Sequence, residues 1–405
     1  MAVIDRVPER SRSCATSTEA VHAGENRARP DHALTCGVAQ TATYTFNDTA
    51  DLERYMRGDD GEPNRTEYGR YDNPTVRELE RRLAALERSE DSVAFSSGMA
   101  AVAMVLFTFL KAGDHVVLFR DCYRKTRQLV TSTLSRFAVE HSIVPPGDLE
   151  ALQRELRNNT RLILSESPSN PYLYCVDLDR LARVARAHGR ARIVVDSTFA
   201  TPVNLRPIEH GADLVLHSAT KYLAGHNDVL GGIVAGSGAL ISLLRDMRGA
   251  FGSILDPHAA YLIGRGLKTL SLRVERQNQT AAALAEVLAG HPKVARVFYP
   301  SLADHPSRKV ALEQMTGFGG VVSFEVRGDR AAASRVVDAC RLAQIAPSLG
   351  GVESLVEQPA IMSYFELDDE SLQSIDMSSS LIRLAVGIEE TEDIISDVTR
   401  ALEQA

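Results

Sequence analysis

The stretch Leu214-Val215-Leu216-His217-Ser218-Ala219-Thr220-Lys221 decides how this chain is read. A short apolar run ends in two hydroxyl residues and a lysine. Lysine is scarce here: Lys111, Lys125, Lys221, Lys268, Lys293 and Lys309 are the only ones among 45 basic residues. A lysine kept in such a setting invites a chemical reason. An uncharged amine has a lone pair and condenses with an aldehyde; a guanidinium stays protonated and does not.

Working outward, the same pattern recurs. Val116-Val117-Leu118-Phe119, Arg161-Leu162-Ile163-Leu164 and Ile193-Val194-Val195 are short apolar runs, and Leu178–His188 has helical spacing. Strands of this kind alternating with helices predict a mostly parallel sheet covered on both faces. Polar clusters follow the strand ends: Tyr123, Glu166-Ser167-Pro168-Ser169-Asn170-Pro171, Asp196 and Ser218–Lys221. Open α/β sheets bind ligands at that edge.

Upstream, Thr75 and Glu78 have capping-box spacing ahead of Val76, Leu79, Leu83 and Leu86, which predicts a helix from Thr75. Ser96-Ser97-Gly98 leads into the apolar run Met99–Leu110, which predicts a buried helix whose first amides form an anion site. Downstream, the pattern predicts a long helix over Ala259–Ala289 and strands at Val321–Val326 and Leu381–Val386. These divisions predict an extended arm over 1–65 that packs on a neighbouring subunit, an α/β domain over 66–257 and a smaller α+β domain over 258–405. At 405 residues, more than one domain is the ordinary outcome.

The formal charge of −8 opposes nucleic-acid or anionic-membrane binding as the main activity. No apolar run reaches the ~18–20 residues of a membrane helix. Residues 1–10 lack the apolar core of a secretory signal. The five cysteines are scattered and form no C-x-x-C pair, which points to the cytoplasm rather than to disulfides or zinc. His217, His226 and Asp228 lack helical ligand spacing, so no metal is expected. Dinucleotide, P-loop and serine-hydrolase signatures are absent.

Lys221 as an aldehyde-bonding amine, Asp196 as the partner of a pyridinium nitrogen, Tyr123 as a stacking ring and Asn170 as a donor to a phenolic oxygen make one constellation. Ser97, Gly98, Met99, Ser218 and Thr220 add a phosphate cradle. The chemistry that needs all of these is that of pyridoxal 5'-phosphate. Taken singly, each has an ordinary structural use, such as a strand-end cap, a turn, a packed ring or a surface cation.

Tyr68-Gly69-Arg70-Tyr71-Asp72-Asn73-Pro74-Thr75, Ser97-Gly98-Met99, Glu166–Pro171, His217–Lys221 and Ser348-Leu349-Gly350-Gly351-Val352-Glu353-Ser354-Leu355 together resemble the Cys/Met-metabolism pyridoxal phosphate enzymes. The resemblance implies a fold-type I, aminotransferase-like subunit in a homotetramer built as a dimer of dimers. It also implies Lys221 as the cofactor-bonding lysine and proton shuttle, with Tyr68 and Arg70 reaching the phosphate of a neighbouring subunit. Tyr68 would further act as a base at the incoming amine. Arg383, with Ser348 and Asn170, would hold the substrate carboxylate.

Asp121-Cys122-Tyr123-Arg124-Lys125-Thr126-Arg127 is similar to the plant-type cystathionine γ-synthases, in which Lys125 would face the phosphate of O-phosphohomoserine. Pro347 stands where cystathionine γ-lyases carry a glutamate. Ile375–Ser380, ahead of Leu381-Ile382-Arg383, departs from the form expected of a primary-metabolism synthase. The resemblance implies γ-replacement on O-phospho- or O-acyl-homoserine by a thiol such as cysteine. The alternatives are γ-elimination or γ-substitution on a non-standard γ-substituted amino acid, and a non-catalytic cofactor-binding homologue.

Overall fold

The computed structural model describes residues 15–25, 32–59, 61 and 65–405. Residues 1–10, Cys14, and Asp60 and Glu62–Asn64 of the Asp59–Asn64 loop lie outside the described residues.

Seven strands form the large sheet: β1 Asp91–Phe95, β2 His115–Phe119, β3 Glu140–Val144, β4 Thr160–Glu166, β5 Arg192–Asp196, β6 Leu214–Ser218 and β7 Gly232–Gly236. Their order is β1-β7-β6-β5-β4-β2-β3. β3, β2, β4, β5 and β6 pair in parallel, while β7 runs antiparallel to both β1 and β6. One reversed strand in an otherwise parallel sheet agrees with the mostly parallel expectation. The apolar runs read as strands lie within β2, β4, β5 and β6. β2 and β7 are buried throughout, as strands covered on both faces must be. Because β1 and β4–β6 point the same way, Phe95, Glu166, Asp196 and Ser218 all end at one edge.

A second sheet holds β8 Val294–Phe298, β9 Val321–Val326, β10 Gln344–Ile345, β11 Leu355–Glu357 and β12 Leu381–Ala385, in the order β10-β11-β12-β9-β8. β12 lies between two antiparallel neighbours, with Arg383 directly opposite Glu357 of β11 and Ser323 of β9. A continuous apolar cluster packs β9 and β12 against the helix Leu270–Ala289 and reaches Tyr222, next to Lys221.

Four local expectations are corrected. The helix beginning at the Tyr68–Thr75 motif spans Pro74–Leu86 and is capped by Asn73, not Thr75: Asn73 Oδ1 accepts from the N–H of Thr75 and of Val76. Pro74 occupies the first helical position, where a missing N–H costs nothing. The Thr75 hydroxyl is drawn away to Gly37 O at 3.0 Å.

The single helix expected over 259–289 is two, Pro257–Leu267 and Leu270–Ala289. Buried Arg273 takes the carbonyl of Gly266 at 2.8 Å and that of Tyr222 at 2.8 Å. The Gly266 carbonyl would otherwise serve the next helical turn.

The helix Gly98–Phe109 is not buried all round. Val102, Val105 and Leu106 enter the core, while Phe107 lies half-exposed, stacked on Phe251. Finally, the 1–65 segment is not simply extended. Its described residues include the helices Thr16–His22 and Thr49–Arg57, and Ala20 of the first is buried in the same core as Leu83 and Leu284.

Candidate active site

The end of β6 is held to the end of β5 by one hydroxyl. Thr198 Oγ1 accepts from Ser218 N at 2.8 Å and donates to Asp196 Oδ1 at 2.5 Å. Thr198 N donates to the same oxygen at 3.0 Å, a local turn that an Asp two residues before a Thr readily forms. Both bonds fall on Oδ1, which leaves Oδ2 for another partner. Burial pushes the Asp196 carboxyl up, and the two Thr198 hydrogen bonds pull it down.

Beside Asp196, in register on β4, sits Glu166. It is 5% exposed, and burial, then Asp196, then Asp121 push its carboxyl well above the usual range. A neutral Glu166 spares Asp196 a like-charge neighbour. Glu166 Oε2 also accepts from Tyr123 N at 2.8 Å, which fixes the backbone of a tyrosine whose side chain stands exposed.

Lys221 lies in the turn after β6, and its Nζ donates to Ser348 Oγ at 2.6 Å. Its amine is brought down to about 8 by burial first and then by Arg383, with Glu357 opposing. Such an amine is far closer to its neutral, nucleophilic form at neutral pH than an ordinary lysine. Ser348 adopts φ 96°, a backbone state costly for any residue but glycine, of the sort that clusters at functional sites. Its carbonyl accepts from Arg383 Nη2 at 2.8 Å, and Arg383 Nη1 donates to Asn170 Oδ1 at 3.1 Å. Arg383 is buried and pairs with Glu357 at 3.0 Å. Lys221, Ser348, Arg383 and Asn170 therefore form one connected chain of polar contacts.

At the start of the helix Gly98–Phe109, Ser97 Oγ accepts from Ala100 N at 3.1 Å. The Gly98 and Met99 amides belong to the first turn, which a helix cannot satisfy internally. Close approach requires glycine at two points. A Cβ on Gly98 would lie 2.9 Å from Ser218 Cβ, and one on Gly232 would lie 2.1 Å from Ser97 O. This contact brings the helix start against the end of β6. Thr220 Oγ1 meanwhile exchanges hydrogen bonds with the backbone of Gly231, donating at 3.3 Å and accepting at 3.1 Å.

The donor set suits pyridoxal phosphate: an amine poised to deprotonate, a carboxylate with an oxygen to spare, a tyrosine face and unsatisfied amides beside hydroxyls. A cavity of about 590 Å³ opens beside it, lined by Thr220, Lys221, Asp228, Pro347 and Ser348.

Tyr68, Arg70 and Lys125, all read into the site, make their contacts within this chain with other groups, and so do the two histidines weighed as metal ligands. Arg70 Nη1 donates to Gly249 O at 2.5 Å, and its guanidinium lies 5.6 Å from the exposed Tyr68 ring. Lys125 is exposed, and its Nζ donates to Gln128 Oε1 at 3.0 Å, one turn along its own helix. His217 is buried against Glu87 at 2.6 Å, and His226 meets the Ala224 carbonyl at 2.7 Å. Sequence reasoning assigned nothing to Thr198, Glu166 or Glu357. The signal for Thr198 was its hydroxyl two residues past a strand-end carboxylate; for Glu166 it was the carboxylate that opens a quoted motif.

The family model described as Cys/Met metabolism PLP-dependent enzyme matches residues 17–403. The chain is 44% identical over 389 residues to cystathionine gamma-synthase 1, chloroplastic, of Nicotiana tabacum, covering 95% of this chain and 71% of that protein. It is 41% identical over 388 residues to L-methionine gamma-lyase of Pseudomonas putida, covering 95% of this chain and 96% of that protein. The crystal structure of metB from Corynebacterium glutamicum superposes with a TM-score of 0.90 at 36% identity, covering 96% of this chain and 98% of that one.

With the Lys221 amine at about 8, the cofactor-free protein should bond pyridoxal phosphate faster as pH rises through about 8, with the rate levelling above it. Lys221→Arg should abolish the reaction. Stopped-flow absorbance measures both; a midpoint near the ordinary lysine value of about 10.4 would contradict the burial effect.

Proposed function

Because the chain belongs to the Cys/Met-metabolism family of PLP-dependent enzymes, we propose that it catalyses γ-replacement on an activated homoserine. The thiol of cysteine or a similar nucleophile bonds to Cγ of O-phospho- or O-acyl-homoserine as the Cγ–O bond breaks, releasing phosphate or the carboxylate of the acyl ester; with cysteine the product is cystathionine. It is an enzyme, and pyridoxal 5'-phosphate is its cofactor. When bound, the cofactor supplies an electron sink for charge developing at the substrate carbons.

The observation that carries the reading is the polar chain from Lys221 through Ser348 to Arg383. It holds a proton-accepting amine at a set place relative to an arginine fork, which suits an α-amino acid bound by its carboxylate. In this reading Arg383, with Asn170 and Ser348, orients the carboxylate. Lys221 would hold the cofactor at its aldehyde and would move protons at the substrate's Cα and Cβ. Asp196 would hold a proton at the ring nitrogen, and Tyr123 would pack on the ring. Ser97, Gly98, Met99, Ser218 and Thr220 hold the phosphate. Support for the substrate class comes from the two plant cystathionine gamma-synthases that are each 44% identical to this chain.

Elimination is the second reading, favoured by the methionine gamma-lyase relatives. The same residues serve it, because loss of the γ-substituent is common to both outcomes. Tyr68 and Arg70, whose contacts in their own chain are with each other, Tyr71 and Gly249, fit a role at a neighbouring subunit's phosphate, with Tyr68 also acting as a base at the incoming amine. That arrangement requires at least a dimer, and the proposed assembly is a homotetramer working in the cytoplasm. No helix among the described residues is long and apolar enough to cross a membrane, and the four described cysteines are free.

The holoenzyme incubated with cysteine and O-phosphohomoserine or O-acyl-homoserines should yield cystathionine, detected by mass spectrometry. Ketoacid and ammonia formed without thiol would favour elimination instead, and no cystathionine from any donor would defeat the assignment. Lys125→Ala should raise KM for the phosphate ester by about tenfold while leaving the acyl esters within about twofold; equal effects would remove the leaving-group role of Lys125.

Chains carrying Lys221→Ala and chains carrying Arg70→Ala should each be nearly inactive alone. Refolded together, they should recover part of the wild-type rate, because a mixed pair contains one intact site. Absence of recovery in mixtures shown by native mass spectrometry to contain hybrids would exclude a shared site.

A further inference from the structure

Arg383 presents five N–H donors in a planar fork. Nη1 lies 3.0 Å from Glu357 Oε1 and 3.1 Å from Asn170 Oδ1. Nη2 donates to Ser348 O at 2.8 Å. Nε is buried and has no hydrogen-bond partner. Nη1 thus hydrogen-bonds Asn170 and is ion-paired with Glu357, Nη2 serves Ser348, and the edge flanked by Nε and Nη2 keeps an unpartnered N–H at Nε. A carboxylate fits such an edge with two parallel hydrogen bonds. The protein has occupied the rest of the guanidinium and left this edge.

Glu357 is the unusual member of the set. Neutral acceptors, an amide oxygen and a backbone carbonyl, hold the other sides of Arg383. Glu357 adds a carboxyl at 4% exposure, which burial pushes up and the adjacent Arg383 and then Lys221 pull back toward the charged form. It is placed by the sheet: Glu357 of β11 and Arg383 of β12 are directly opposite in an antiparallel ladder. Its influence extends past Arg383, since it raises the affinity of Lys221 for a proton while Arg383 lowers it. Without Glu357, Arg383 would be an unpaired buried cation facing an incoming carboxylate; with it, that charge already has a partner at 3.0 Å.

We infer that Glu357 is a positioning residue that serves as the built-in counter-charge of the carboxylate site. It commits the Nη1 side of Arg383 to the protein, directs the substrate carboxylate to the Nε–Nη2 edge and holds the affinity of that edge below what an unpaired arginine would give. The inference rests on the proposal that Arg383 receives the substrate carboxylate. A carboxylate bound there meets repulsion from Glu357 across the width of a guanidinium, a separation at which charges in a protein still interact strongly. The consequence is a site that orients amino acids without retaining them, so that the product carboxylate leaves as readily as the substrate's arrives.

The test titrates the holoenzyme with L-alanine and with L-alaninamide, reading the change in cofactor absorbance. The two probes share an amine and differ in the carboxylate. Glu357→Gln keeps the size and an acceptor oxygen but removes the charge. It should tighten L-alanine by about tenfold and leave L-alaninamide within about twofold, with KM for the amino-acid substrate falling more than kcat. A role in packing alone would move both probes together. Arg383→Lys, which keeps a cation but loses the fork, should weaken L-alanine selectively.

If Arg383→Lys behaves so while Glu357→Gln leaves the L-alanine to L-alaninamide ratio unchanged, the counter-charge is overturned and the Arg383 reading stands. If Arg383→Lys affects neither probe, the Arg383 reading itself falls. Should Glu357→Gln not fold, Glu357→Asp withdraws the charge by one methylene and should tighten L-alanine by about two- to threefold; an unchanged ratio there also overturns the inference.

Discussion

The hydrogen bond from Lys221 Nζ to Ser348 Oγ, 2.6 Å long, ties the reactive amine of the large sheet to a loop of the small one, across two sheets that also share an apolar cluster. Lys221 follows the last parallel strand of the large sheet, and Ser348 lies in the loop between β10 and β11 of the small one. Through its carbonyl Ser348 also receives Arg383 from β12. The left-handed backbone of Ser348 turns its hydroxyl and carbonyl toward different partners at once. That loop gives the amine at one strand end and the guanidinium in the middle of another sheet a shared contact residue, beside the link from Arg383 to Asn170.

Around this junction the electrostatics are arranged in opposing pairs. Burial lowers the proton affinity of Lys221 and raises that of Asp196, Glu166 and Glu357, as desolvation disfavours every charged form. What differs is the compensation. Asp196 has the two Thr198 hydrogen bonds, Glu357 has Arg383, and Glu166 has the backbone N–H groups of Tyr123 and Asn170 with two carboxylates nearby. The group least compensated, Glu166, is the one best suited to stay neutral, and in that form it still fixes the backbone of Tyr123.

The large sheet was legible because its strands are buried on both faces and so appear as unbroken apolar runs. β2, β4, β5 and β6 contain those runs. β1, β3 and β7 escaped reading: Asp91–Phe95 mixes polar and apolar residues, Glu140–Val144 at the sheet edge is partly exposed, and Gly232–Gly236 carries glycines where a strand usually has branched side chains. The reason for Gly232 is close approach to Ser97 O, which concerns another part of the chain. The break at Lys268–Thr269 was hidden in the same way, since a good helical pattern says nothing about an arginine that takes a carbonyl out of the ladder.

The sequence by itself determined the chemistry that the residues can perform: an amine among guanidinium groups, hydroxyls and carboxylates at strand ends, glycines ahead of an apolar helix. Those properties belong to residue types and their order along an alternating pattern. Only the tertiary structure decided which of them meet. Asn170, Ser348 and Arg383, separated by 213 residues from first to last, converge on one guanidinium. Tyr68, Arg70 and Lys125 turn elsewhere within the chain. Glu357 acquires its place from β11–β12 register alone, since a long-range charge pair depends on cross-strand geometry and leaves no local periodicity to read.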